Sequence, residues 1–138
     1  MEYRDASSAD IELLARLNLQ LIRDEGHRNP MTLAQLLVRM DNWLQGEYKA
    51  VLFEHDGATV GYALFRDDVE YVHLRQFFVT AQHRRKGLGR QAIEWLSAHH
   101  WKDAPLRVEV LVGNEEAIAF WRAVGFTDYC LTLERPNE

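Results

Sequence analysis

Residues 71 to 112 constrain the architecture more than any other stretch. Tyr71 to Val79 is a long β-rich run, followed by the basic turn His83-Arg84-Arg85-Lys86. Gly87-Leu88-Gly89 then opens a helix carrying Ala92, Ile93 and Leu96, which ends near Trp101, before Pro105. Leu106 to Val112 is a second β run. A strand, a helix and a strand in that order imply a parallel crossover. The domain is therefore α/β with a mixed sheet.

The flanking elements fill in the rest. Glu2 to Ala6 reads as a first strand, and Ser7-Ser8 offers caps for the helix that follows. Ile11, Leu14, Leu17 and Leu21 repeat at helical spacing. Gly26 to Pro30 breaks that helix, and Thr32 caps a second one bearing Leu33, Leu36, Leu37, Met40 and Trp43-Leu44 on its apolar side. Tyr48 to Glu54 and Thr59 to Phe65 form a hairpin around Asp56-Gly57. With the run to Val79 they make three consecutive antiparallel strands. Asn114 caps a short helix through Val124, closed by Gly125. Phe126 to Arg135 reads as a last strand or strands.

Length and composition bound the class. The 138 residues suit one domain spanning 1–138. No stretch approaches the ~20 apolar residues of a membrane span, and no apolar signal region follows Met1. The single cysteine, Cys130, excludes an intrachain disulfide and a cysteine-based zinc cage, and fits the cytoplasm. His99-His100 are adjacent on a helix and point in different directions, so no metal site is expected. A net charge of −5 argues against nucleic acid as partner, because phosphate contacts need a basic face.

The basic turn runs against that acidic balance. The first N–H groups of a helix have no intrahelical partner, and the helix dipole adds partial positive charge there. Glycine lets a ligand phosphate approach the backbone. Arg84, Arg85 and Lys86 add formal charge, so a pyrophosphate is the natural guest. The third glycine of a dinucleotide fingerprint is replaced by Ala92, and no acidic residue closes the next strand convincingly. A Walker-type loop is excluded, since no Gly-Lys-Ser/Thr occurs.

These residues resemble the GNAT superfamily of acyl-CoA-dependent N-acetyltransferases. Arg84-Arg85-Lys86-Gly87-Leu88-Gly89 matches its Arg/Gln-x-x-Gly-x-Gly/Ala motif. Asn114-Glu115-Glu116-Ala117-Ile118-Ala119-Phe120-Trp121, ending on Gly125-Phe126, matches its second motif. The resemblance implies a mostly antiparallel mixed sheet splayed at a central V-shaped cleft and flanked by about four helices. It implies acetyl-CoA as cofactor, held by the backbone of Phe77, Phe78 and Val79, by the cradle Arg84, Arg85, Lys86, Gly87, Leu88, Gly89 and Arg90, and by Asn114, Ala117, Phe120 and Trp121. An N–H near Phe78 would polarise the thioester carbonyl. The acceptor is a primary amine of a small molecule or peptide, attacking directly in a ternary complex. Homodimers are common among such small domains, and a homodimer is the expected assembly.

The chain departs from the family pattern twice. Trp121 stands where many members carry a tyrosine that protonates the leaving thiolate, and an indole cannot act as an acid near neutral pH. Trp121 is therefore expected to pack, and Tyr129 or Cys130 is the substitute acid. Second, Arg75 and Gln76 stand where many members carry a carboxylate base. Alternation puts Tyr71, His73 and Arg75 on one strand face, with Val72, Leu74 and Gln76 on the other. His73 is one candidate base and Glu109 the rival. Glu25, His27, Arg75 and Gln76 are the candidate acceptor contacts; the acidic pair Asp24-Glu25 suits a cationic acceptor, whereas Arg75 suits a substrate carboxylate or is an ordinary surface cation. The missing tyrosine and carboxylate also sustain a second reading, a non-catalytic acyl-CoA-binding sensor or partner domain.

Overall fold

Alternation of apolar residues and turn chemistry set out a five-stranded sheet in the order β1-β2-β3-β4-β5. The computed structural model describes residues 1 to 26 and 28 to 137. In it β1 spans Glu2–Asp5, β2 Tyr48–His55, β3 Ala58–Asp67, β4 Val72–Val79 and β5 Leu106–Val108. The helices are α1 (Ile11–Asp24), α2 (Leu33–Gln45), α3 (Leu88–Leu96) and α4 (Glu115–Ala123). The first three strand pairings are antiparallel and β4–β5 is parallel, as the crossover requires.

Local sequence explains where the elements begin and turn. Ser7 and Thr32 each form a reciprocal capping box, with Asp10 and Gln35 respectively, each worth about 1 kcal/mol. Asp56 and Gly57 both adopt positive φ, 51° and 79°, as a tight hairpin turn between twisted strands demands. Asn114 caps α4 by accepting a hydrogen bond from the Ala117 N–H, and Gly125 leaves the helix at φ 105°. A π-helical turn, Ser97–Trp101, extends α3 to the expected end.

The sheet separates two cores. On one face α3 and α4 cover Val51, Phe53, Ala63, Phe65, Val72 and Leu74. On the other, α1 and α2 cover Ala50, Leu52, Tyr62, Leu64 and Phe78.

Three expectations need correction. No strand forms among the described residues of 126 to 137. A strand exists only through a neighbour's backbone, and this segment touches the sheet through side chains alone, such as Tyr129 on Arg107. The second β run stops at Val108 instead of Val112, because β4 pairs with it only from Val72 to Leu74. Finally, simple alternation fails at Arg75. Gln76 faces Leu64 and Leu74 faces Phe65, so Arg75 is an extra residue without a partner on β3. This bulge turns Gln76 to the α1–α2 face, where its Oε1 accepts a hydrogen bond from the Tyr62 hydroxyl at 2.8 Å.

Candidate active site

The parallel junction of β4 and β5 is three residue pairs long, and past Leu74 no ladder joins the two strands. They part toward the end of β4 that leads into α3. This is the splayed cleft, and the basic turn stands at its open end.

The turn's backbone is shaped for an anion. Arg85 adopts φ 63° and Gly87 φ 78°, immediately before the first residue of α3. A left-handed conformation at a non-glycine residue costs about 1 to 2 kcal/mol. Such strain persists where the surroundings fix it, and here it lies in the turn immediately before a helix N-terminus. At Gly89 a Cβ would come within 2.9 Å of Phe120 Cε1. Glycine therefore lets α4 pack against the first turn of α3, and Phe120 in turn stacks on Phe77 with ring centroids 5.9 Å apart. The absent Cβ at Gly87 leaves open space above the N-terminus. Both glycines fit a phosphate-bearing ligand, one by packing and one by clearance.

The side chains of the cradle divide their work. Arg84 is a strut: Nε donates to the Val79 carbonyl at 2.8 Å and a terminal nitrogen to Asp24 at 2.7 Å, tying the end of β4 to the end of α1. Arg90 donates to the Ala123 carbonyl at 3.0 Å and caps α4. Lys86 is exposed, as is Arg85, whose pairing with Glu116 at 3.7 Å is open to solvent and weak. These two are the cations free to meet a phosphate. Leu88 is buried beneath the cradle.

Asn114 spends its side-chain oxygen on the α4 cap. Ala117 and Phe120 pack on the α3–α4 core. Trp121 is buried there as well, with Phe77, Phe120 and Phe126 edge-on around it at 5.0 to 5.3 Å.

The candidate bases meet. His73 Nε2 lies 3.2 Å from a Glu109 carboxylate oxygen, on the side of the sheet that also carries Arg107. Arg107 is held between Tyr71 and Tyr129, at 4.0 and 4.6 Å from the two rings, and donates to the Tyr129 hydroxyl at 3.4 Å. His73 and Glu109 are thus brought together where β4 and β5 pair, while Tyr129 meets Arg107. Cys130 is exposed beside them in sequence.

The expected acceptor residues fall on the side of the sheet covered by α1 and α2. Tyr62 is fully buried, and desolvation pushes its hydroxyl pKa well above the usual phenol range, with Glu25 adding to the rise. Glu25 ends α1, and His27 lies outside the described residues. The Arg75 guanidinium sits 4.8 Å from the centre of the Trp43 ring. Sequence reasoning missed Arg39, on the turn of α2 before Trp43 and 4.5 Å from the same ring. No motif marks it; a cation four residues before a tryptophan on the same helix was the available signal.

The acetyltransferase (GNAT) family model matches residues 17–126. The chain belongs to this family. None of the curated proteins matches the sequence. Among solved structures, a mutant of the BH1408 protein from Bacillus halodurans superposes with a TM-score of 0.78 at 20% identity, covering 100% of both chains. A possible acetyltransferase from Clostridium difficile 630 gives 0.79 at 16% identity, over 99% of this chain and 97% of that one. The aminoglycoside N-acetyltransferase AAC(6')-Iy in complex with CoA gives 0.78 at 17% identity, over 99% and 93%. This GNAT chain shares their fold across its whole length. Among its described residues no group of His, Cys, Asp and Glu could hold a metal ion, and no helix is long and apolar enough to cross a membrane.

Proposed function

We propose that this chain, acting as one domain, moves the acetyl group of acetyl-CoA to a primary amine of a small molecule or peptide by direct attack in a ternary complex. The observation that carries the reading is the strained, glycine-cleared cradle at the open end of the β4–β5 cleft. Acetyl-CoA supplies the thioester whose carbonyl carbon the amine attacks. Backbone N–H groups of Arg85 to Gly89 hold the pyrophosphate, with Arg85 and Lys86 adding charge. The unpaired edge of β4 at Phe77 to Val79 receives the pantetheine arm as a strand would be received, and an N–H near Phe78 polarises the carbonyl. The Val79 carbonyl is already taken by Arg84, so this edge offers N–H groups more than acceptors.

The amine must lose a proton. With Nε2–H donated to Glu109, the imidazole of His73 keeps a lone pair on Nδ1. His73 lies four residues before Phe77, on the order of 13 Å along the strand. We assign it the role of a proton sink reached through water, with Glu109 orienting it. His73→Gln is expected to lower kcat by about tenfold or more while acetyl-CoA affinity stays put. An unchanged kcat would show that the proton leaves directly to solvent.

Trp121 packs and does not donate a proton. Trp121→Phe is expected to cost about 1 to 2 kcal/mol of stability and to keep most of the turnover. A collapse of kcat in a folded variant would reverse that assignment and return Trp121 to the reaction.

Calorimetric titration with acetyl-CoA, run beside thiol release against a panel of amines, tests the reading as a whole. Binding with turnover is the expected result. Binding without turnover on every amine points to the acyl-CoA sensor, and absence of binding refutes the cradle. Light scattering in the same buffer tests the proposed homodimer.

A further inference from the structure

The acceptor side of the cleft holds a surplus of hydrogen-bond donors with no acceptor to receive them. Asn18, on α1, is 1% exposed. Its Oδ1 accepts from a terminal nitrogen of Arg39 at 3.0 Å. A guanidinium only donates, so the amide is fixed with its oxygen toward Arg39, and its NH2 must face elsewhere. That Nδ2 is buried and has no partner, and neither has Nε of Arg39. Buried donors left unmatched are costly, and native proteins hold few of them.

Two cations lie against the same indole ring. The guanidinium carbons of Arg39 and Arg75 lie 4.5 and 4.8 Å from the centre of the Trp43 ring. Arg75 stands on the β4 bulge, which lifts an extra residue out of the ladder toward α2. None of the ion pairs among the described residues includes either arginine, although other arginines of the chain are paired. Gln76, next on the bulge, has its oxygen occupied by the Tyr62 hydroxyl and adds an amide NH2 to the same side.

We propose that Arg39 and Arg75, with Asn18 holding the Arg39 guanidinium in place, form an oxyanion subsite that selects amine acceptors carrying a carboxylate or a phosphate. The subsite rests on the acetyl-transfer reading for the identity of its ligand as an acceptor. An oxyanion that reaches both guanidinium groups meets donors from two elements, α2 and β4, and arginine's planar fork suits carboxylate and phosphate alike. The Arg39 guanidinium is held below its usual pKa by burial and then by the Arg75 charge, and a bound anion relieves both. Trp43 and Tyr48 supply aromatic faces that keep the cations in place when no ligand is bound.

The test supplies acceptors in matched pairs: L-amino acids against their amides, and O-phosphoethanolamine against ethanolamine. Thiol release is followed for the wild type and for Arg75→Gln, whose exposed position leaves the fold intact by circular dichroism. The anionic member of a pair is expected to win by about tenfold or more in kcat/KM, and that ratio is expected to collapse in Arg75→Gln. Preference for the amino acids alone names carboxylate, and preference for phosphoethanolamine alone names phosphate. Equal use of both members, or a preference that survives in Arg75→Gln, overturns the subsite. If no compound releases thiol, acetyl transfer to these amines fails, and tryptophan fluorescence decides the subsite separately. A saturable change with the free acids that Arg75→Gln abolishes upholds it; no change overturns it.

Discussion

Gly87→Glu abolishes acetyl-CoA binding, whereas Gly87→Ala weakens it only modestly. Gly87 holds φ 78°, and a Cβ there meets nothing within 4 Å. Any side chain is therefore sterically tolerated and costs about 1 to 2 kcal/mol of backbone strain. Alanine measures that strain alone. Glutamate adds a carboxylate in the open space above the N-terminus of α3, where it accepts from the same N–H groups a phosphate would use and repels the phosphate as well. Charge-assisted hydrogen bonds are worth roughly 1.5 to 3 kcal/mol each, so losing two or more lowers affinity by about a hundredfold or further. Calorimetry on both variants checks this. Equal affinity in Gly87→Glu and Gly87→Ala would remove the phosphate from this turn.

Gly61→Ala is expected to lose about 3 kcal/mol of stability. Gly61 lies on β3 opposite Val79, and an added Cβ would overlap the carbonyl oxygen of Phe78 and press on Phe53. A flexible side chain could move aside, but a strand backbone cannot do so cheaply. The strain falls on the last residues of β4, from which Thr80 continues into the cradle turn. Urea unfolding should show the loss, with a melting temperature lower by roughly 10 °C. Acetyl-CoA affinity should fall with it, since the Val79 carbonyl that anchors Arg84 must shift. A variant as stable as the wild type would mean that β3 and β4 can separate there at no cost.

How much of this was legible follows from the kind of signal each residue gives. The crossover from β4 to β5, the caps at Ser7, Thr32 and Asn114, and the Asp56-Gly57 turn are local chemistry, and the chain forms them where the residues say. The cradle was readable for the same reason. Arg75 and Gln76 were misassigned to opposite faces because counting by twos assumes a ladder without insertions, and nothing in Leu74-Arg75-Gln76 announces a bulge. The segment after Gly125 alternates Tyr129, Leu131 and Leu133 like a strand, yet all three are exposed. Alternation gives a strand its faces but cannot supply the neighbour it must pair with. Arg39 and Asn18 were invisible because their significance is an absence: each carries a buried donor that no group among the described residues accepts, and only packing reveals that. The contact of His73 with Glu109 joins residues 36 apart and depends on the register of two strands.

The sheet's two coats have a consequence for descent. On the proposed reading, cofactor handling sits on one coat and at its rim, through α3, α4 and the turn between β4 and α3. The acceptor wall belongs to the other, through α1 and α2. Residues from the two coats alternate along the strands and touch opposite neighbours, so changes in one should add to changes in the other with little coupling. A lineage can then exchange its acceptor by drift in the first 45 residues while the donor chemistry is inherited untouched. β4 belongs to both trades through its bulge, and Asp24 at the end of α1 reaches across to Arg84 of the turn.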